Sequence, residues 1–356
     1  MMHSPGMLVV FAALLPGLLP AQAFDFVGGS PPKLAQFAAT PAPVGHEAAL
    51  LAEIEAALPK GASAARDAFG SLIVRLDGGP LRPAEGGAEG AAEDAAEHAG
   101  ARAPRRLVAV GVDESCFVVS RIREDGWLRL RYLGDPPPGG EHLLREGRPA
   151  RVWTRHGPRP GVVMVDSLHL RNPRPETLDE SQLWLDVGAD SAADVAALGI
   201  ELLDPVEQRE VVAFGLGAVA GAALGRRAAA HALLSLLHEW PAEASQGVSF
   251  AFIAQSRPGG GPLGRGGEAV IRRMRPASVL VLDAREDLGA ATERLVATLD
   301  GLPLDTLALR VRYAGTPVET VSEDDLAAFT EALRGFTAGP STKPAPPDAA
   351  SREHSR

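Results

Sequence analysis

Residues 107–134, LVAVGVDESCFVVSRIREDGWLRLRYLG, pass from one kind of strand to another. LVAVGVD (107–113) is a continuous apolar run, the pattern of a strand covered on both faces of a sheet. FVVSRI (117–122) and WLRLRYL (127–133) are shorter and partly alternate, as in a small β-rich module. Further along, VSFAFIA (248–254) and SVLVLD (278–283) repeat the first pattern, and ARVWTR (150–155) and GVVMVD (161–166) the second. The expected fold class is therefore α/β, a mixed sheet covered by helices, with an inserted small β-rich domain. The α/β domain should comprise 31–117 and 209–336, and the insert 118–208.

Helices are expected at 47–58, where Leu50, Leu51, Ile54 and Leu58 share a face, and at 190–198, 217–238, 287–299 and 323–335. Ser322, ahead of three acids, is a natural N-cap for the last. The glycine-rich run RPGGGPLGRGG (257–267) lacks the Lys-Ser/Thr of a phosphate loop and reads as a loop. AEGGAEGAAEDAAEH (84–98) holds five acids and no bases, so 78–104 is expected to be a disordered acidic loop. The polar, proline-rich tail 337–356 is expected to be disordered too. Residues 7–19, MLVVFAALLPGLL, followed by AQA (21–23), have the pattern of a secretory signal peptide over 1–23, although no basic residue precedes the run. Export to the periplasm or outside is expected from it, or a cytoplasmic place if the N-terminus is mis-assigned. Thirteen apolar residues are too few for a transmembrane helix, so no transmembrane segment is expected.

A net charge of −10 over 356 residues, with no basic stripe, argues against nucleic acid as a partner. The one cysteine, Cys116, excludes a disulfide framework within the chain and reads as a small core residue rather than a nucleophile. His231 and His238 are seven apart, which is not the i, i+4 spacing of a helical metal pair. His169 stands in a loop near Asp166.

Several segments, in order, resemble the glutamyl/deblocking aminopeptidases, dinuclear-metal peptidases that form tetrahedral particles, some once described as endoglucanases. KLAQFAATPAPVGHEAALLAEI (33–54) is similar to that family's opening helices and Gly-x-Glu turn. DAFGSLIVRL (67–76) resembles its D-x-x-G-N-L-I strand, with Ser71 where Asn is usual. LVAVGVDESCF (107–117) resembles the strand ending in H-x-D-E-x-G-F, and GVVMVDSLHL (161–170) the turn before its His. LWLDVGADSAADVAALGI (183–200) resembles the D-I-G-A-x-S stretch closely, and SFAFIAQ, RPASVLVLDA and RVRYAGTPVETVSEDDL resemble the later core motifs. The resemblance covers about 33–335 and implies a zinc-peptidase-like fold.

The resemblance also implies a reaction: two metal ions, held by two His, two Asp and one Glu, share a hydroxide, with a neighbouring Glu as general base. Carried over position by position, the first His falls on Gly111, the bridging Asp on Gly225, the metal Glu on Arg257, the last His on Gly315, and the general base on Ser256. Asp283 is the one ligand kept, and Asp113, with Glu114 after it, matches the carboxylate that orients a ligand. Arg226 replaces a second Asp, and Arg227 matches the motif's own Arg. Residues 286–309 are short against the family's segment and leave no room for its second substrate-binding strand pair. Glycine has no donor atom and arginine does not deprotonate. The cleft thus reads as vestigial: Asp113, Glu114, Ser256 and Arg257 with no assigned catalytic role, and no metal cofactor expected.

Unpaired buried carboxylates need a partner. A guanidinium, from Arg226 or Arg257, is therefore expected in the metals' place, paired with Asp283 or Asp113. The leading reading is a non-catalytic pseudopeptidase that binds a peptide or an acidic ligand, or assembles as a homo-oligomer or with a paralogue. A second is an active aminopeptidase with a rebuilt site holding zinc or cobalt. A third is a hydrolase working through Ser256 or Cys116.

Overall fold

The computed structural model describes residues 33–77, 106–133, 147–165, 183–208, 211–214, 217–241, 245, 247–256, 263–286, 288, 290, 292–299 and 301–337. The leader, the acidic loop, all of the tail after Thr337, His169 and Arg257 lie outside the described residues.

The main sheet is built from β1 (Ser63–Arg66), β2 (Leu72–Arg75), β3 (Arg106–Gly111), β12 (Val248–Ile253), β13 (Val279–Arg285), β14 (Thr292–Leu299) and β15 (Leu302–Arg310). Their order is β1-β2-β12-β3-β13-β15-β14. The centre, β12-β3-β13-β15, is parallel, and β2 and β14 pair antiparallel at its flanks. Continuous apolar strands belong here because both faces are covered. Val108 and Val110 of β3 face one core with Phe250, Phe252, Leu280 and Leu282. Leu107 and Ala109 face the other with Ala251, Ile253, Val279 and Val281. With a side-chain period of two, neither face can be polar.

The first core is closed by α1 (Leu34–Ala39), α2 (Ala48–Ala56), α4 (Leu224–Glu239) and α6 (Glu323–Thr337), and the second by α5 (Gly264–Met274). Helix α4 is buried almost all round, with Ala228, Ala229, Ala230, Ala232 and five leucines out of water. Alanine suits it twice, as the best helix former and as a side chain small enough to let the helix lie against the sheet. Ser322 caps α6 as expected, its Oγ accepting from the Asp325 amide at 3.1 Å.

Between β3 and α4, β4 (Cys116–Ile122), β5 (Leu128–Leu133), β6 (Pro149–Thr154), β7 (Gly157–Val165), β8 (Leu183–Asp186) and β9 (Pro205–Glu207) close into a barrel of order β4-β5-β8-β7-β6-β9. Its interior is Val119, Leu128, Leu130, Val152, Val163, Leu185 and Val206. The short helix α3 (Ala192–Ala197), capped by Ser191, covers one end through Val195. A small sheet of β10 (Val212–Phe214), β11 (Ala218–Gly221) and β16 (Glu319–Ser322) leads into α4.

Four expectations need correction. Residues 287–299 are not a helix: Thr292–Leu299 is strand β14, paired along its length with β15 through a turn at Gly301, whose φ of +82° favours glycine. The same hairpin corrects the reading of 286–309, since that segment does hold a strand pair, used to extend the main sheet. Residues 217–238 are a strand and then a helix, because Ala223, at φ +52°, breaks the helical path before Leu224. The glycines at 264–267 open helix α5 rather than a loop. A Cβ on Gly266 would stand 1.9 Å from the Ala254 carbonyl oxygen, so glycine is what lets this helix touch the strand end.

Candidate functional site

The parallel strands β12, β3 and β13 end side by side, with Ile253 opposite Gly111 and Leu282 opposite Val110. Ser256, Asp113 and Asp283 therefore meet at neighbouring carboxyl ends, the usual place for a site in such a sheet. Gln255, just before Ser256, has φ +50° and its N–H donates to Glu47 Oε1 at 2.9 Å, which turns Ser256 inward.

The first turn of α4 faces these strand ends and supplies two arginines. Consecutive helical residues point about 100° apart, so the two enter different layers. Arg226 Nε donates to Asp283 Oδ1 at 3.2 Å and Nη1 to Ser256 Oγ at 2.9 Å. The Ser256 hydroxyl in turn donates to Asp113 Oδ1. Asp113 is fully buried, whereas the Arg226 and Asp283 side chains are 21% and 25% exposed. This meets the expectation of a guanidinium beside Asp283, and the residue is Arg226. Burial acts to lower its pKa, but Asp283 and then Asp113 outweigh that and raise it, so the charge is firmly held.

Arg227 lies deeper, with no exposed surface. Its Nη1 donates to the Thr40 carbonyl at 2.7 Å, and its Nη2 stands 3.4 Å from Glu114 Oε2. Glu114 Oε1 accepts from the Ala42 amide at 3.1 Å. Burial pushes the Arg227 pKa down to about 10, against the opposing pull of Glu207, Glu53 and Asp113. Cations are disfavoured at a helix N-terminus. Consecutive arginines there are thus a sequence signal for buried carboxylate partners, and the Arg227–Glu114 pair is one that reading by motif missed.

Glu319 was missed as well. Its Oε2 accepts from the Gly225 N–H at 2.9 Å and its Oε1 from Gly315 N–H at 2.8 Å. It caps α4 in place of Ala223, which offers no side-chain cap, and ties in the 315 loop.

Of the three glycines of interest, two are closed to a side chain by their neighbours and the third by its backbone angle. A Cβ at 111 would meet Ser256 Oγ at 2.2 Å and Arg226 Nη1 at 3.1 Å. One at 225 would meet Ala284 Cβ at 2.4 Å. Gly315 has φ +75°, which L side chains rarely adopt. Among the described residues, no group of three or more His, Cys, Asp or Glu is placed to hold a metal ion. His231 packs edge-on to Phe37 at 5.9 Å, and His238 Nε2 is 2.8 Å from the Ala57 carbonyl, both structural placements. The Cys116 thiol is buried, and that burial pushes its pKa up to about 12, which disfavours the thiolate form.

The M42 glutamyl aminopeptidase family model matches residues 95–286, more than half of the chain. The chain belongs to the M42 family. It is 32% identical to the lysyl aminopeptidase of Pyrococcus furiosus over 103 residues, which is 28% of this chain and 29% of that protein. The curated relatives are thus matched over 27% and 29% of their own length. The Pyrococcus horikoshii TET1 peptidase, which can assemble into a tetrahedron or a large octahedral shell, superposes with a TM-score of 0.67 at 20% identity over 85% of this chain and 98% of that one. An aminopeptidase from Desulfurococcus kamchatkensis gives 0.65 at 19% identity, over 85% and 93% of the two chains. At these identities the likeness establishes the fold.

Burial raises the pKa values of the buried carboxylates Glu47 and Glu207 and of the half-buried Glu53. A raised folded-state pKa means the folded protein takes up the proton first as pH falls. Their contribution to stability is therefore fully present below the ordinary carboxylate range and is lost as pH rises through the raised value. Glu47→Gln stays neutral throughout. Its melting temperature relative to the wild type is expected to climb as pH rises above the ordinary carboxylate range. A flat or falling difference would show that Glu47 does not carry the strain.

Proposed function

We propose that this member of the M42 family is a non-catalytic, peptidase-like protein in which an internal guanidinium stands in for the family's metal pair. The observation that carries the reading is Arg226, held between Asp283 and Ser256 at the carboxyl ends of the strands. Zinc or cobalt does not fit the residues present. Asp283 spends an oxygen on Arg226, Asp113 accepts from Ser256, and positions 111, 225 and 315 carry no donor atom, the first two with no space for one. By the resemblance of the motifs, those positions, with Arg257, are where ligands would stand. What the guanidinium supplies is neutralisation: one fixed positive charge beside carboxylates that would otherwise repel each other. It supplies no Lewis acid and no hydroxide, so nothing at this point of the cleft attacks a peptide bond. We propose a binding or assembly role instead, with self-assembly suggested by the shell-forming Pyrococcus horikoshii relative.

The test is metal content after exposure to zinc and cobalt and then desalting, with melting measured with and without a chelator. The expected result is far below one metal per chain and an unchanged melting temperature. A metal that binds the folded state alone would raise its stability. About two bound metals per chain, lost together with stability on chelation, would establish the other reading, an active aminopeptidase with a rebuilt site.

A further inference from the structure

The outer face of the barrel carries a group of charges that the cleft does not use. Leu128 and Leu130 of β5 point into the barrel core, so Arg129 and Arg131 point out. Across the ladder, Ile122 of β4 stands opposite Leu128, and Arg121 stands opposite Arg129. Three guanidinium groups are thereby set on one face of two paired strands. Like charges directly opposite each other destabilise a sheet.

Arg121 and Arg131 are exposed, and Arg129 is half-buried. The Arg129 guanidinium lies over the Trp184 ring of β8, its Cζ 4.3 Å from the ring centroid. Stacking of this kind fixes a guanidinium in place without neutralising it. Among the described residues none of the three arginines has a carboxylate partner. Their neighbour Arg123 is paired with Asp125, and Asp186 of β8 is turned to the Gly188 amide at 2.7 Å. Elsewhere Arg66, Arg75, Arg151 and Arg310 each hold an acid. Three unpaired cations side by side, in a chain of net charge −10, are a surface built for carboxylates.

The chain carries the complementary stretch itself. AEGGAEGAAEDAAEH (84–98) has five acids, no Lys or Arg, and otherwise mostly Ala and Gly, small enough to lie close on a strand face. The described fold leaves off at Asp77, after β2, and resumes at Arg106, the start of β3. The barrel follows the other end of β3, about 20 Å along the strand. The acidic stretch and the arginines thus belong to opposite ends of one chain, as the two halves of a contact between copies would. Such a head-to-tail contact repeats from copy to copy and closes into a ring or builds a larger assembly.

We propose that the barrel face of Arg121, Arg129 and Arg131 is an interaction surface that receives the acidic stretch 84–98 of a second copy. The proposal rests on the assembly reading and deepens it.

The test is sedimentation of the full chain in low and high salt, beside two variants. One is Arg121→Gln with Arg131→Gln. The other replaces Glu85, Glu89, Glu93 and Glu97 by Gln and Asp94 by Asn. The expected result is self-association that salt screens and that each variant weakens by about tenfold or more. Each variant keeps the half that the other lacks, so mixing them should restore pairs of unlike chains and nothing larger. Both sets in one chain should cost no more than either alone. Arg121→Gln with Arg131→Gln should also melt no lower than the wild type, because it relieves like charges on facing strands. A merely structural role for these arginines would lower the melting temperature and leave association alone. Association that survives both variants, or losses without recovery on mixing, would overturn this contact and leave the assembly reading standing. A monomeric wild type would overturn both. Losses of monomer stability alone, in both variants, would place the stretch on its own barrel and overturn the second copy as its partner.

Discussion

Replacing Arg227 by methionine is expected to lower the melting temperature by roughly 6–10 °C. The guanidinium is wholly buried and Glu114 nearly so, at 0% and 2% exposure. Removing one partner strands the other carboxylate out of water, which costs about 3–5 kcal/mol. For a chain of this size, each kcal/mol is worth about 2 °C. The loss reaches further than one pair, since Arg227 also holds the Thr40 carbonyl, and Glu114 holds the Ala42 amide. The segment after α1 is thereby fastened to both α4 and the base of the barrel. Arg227→Met with Glu114→Gln should recover part of the loss, because no bare charge is left behind. A drop under about 2 °C for the single variant would mean that the buried pair does not hold the two parts together.

Gly111→Ala is the second large effect, expected at about 1–3 kcal/mol for one added methyl group. The new Cβ would lie 2.2 Å from Ser256 Oγ and 2.8 Å from Ser256 Cβ. Turning the hydroxyl away relieves the first contact but not the second, and it gives up the bonds to Arg226 and Asp113. Ser256→Gly in the same chain removes both atoms, so the double variant should be more stable than Gly111→Ala alone. The coupling should exceed about 0.5 kcal/mol. Additive effects would show that the strand ends relax freely and can take a side chain at this position. If the coupling is found, position 111 cannot take a larger side chain without also rebuilding 256 and 226.

Much of the fold is legible in the residues. LVAVGVD, VSFAFIA and SVLVLD are the three central parallel strands, because burial on both faces leaves an uninterrupted apolar run. Ser322 ahead of Glu323, Asp324 and Asp325 marks a helix start that needs no partner from elsewhere. Residues 292–299 were misread because their apolar spacing suits a helix as well as a strand, and pairing with β15 decides between them. The glycines of α5 were misread because glycine usually weakens a helix, and the close approach of Ala254 that calls for it is made by another segment. Within the site, the presence of acids and arginines is plain in the sequence, but their pairing is not. Asp113 and Ser256 are 143 residues apart, Arg226 and Asp283 57, Arg227 and Glu114 113, and Gly225 and Glu319 94.

Strand, helix start and covered face are local matters, set by period and capping within a few residues, so the chain itself carries them. Which of two adjacent arginines meets Asp283, and which sinks to Glu114, depends on the angle at which α4 meets the strand ends. That angle is set by packing across the whole core, and a hydrogen bond reaches no further than about 3 Å, so only the folded arrangement of distant segments could assign it.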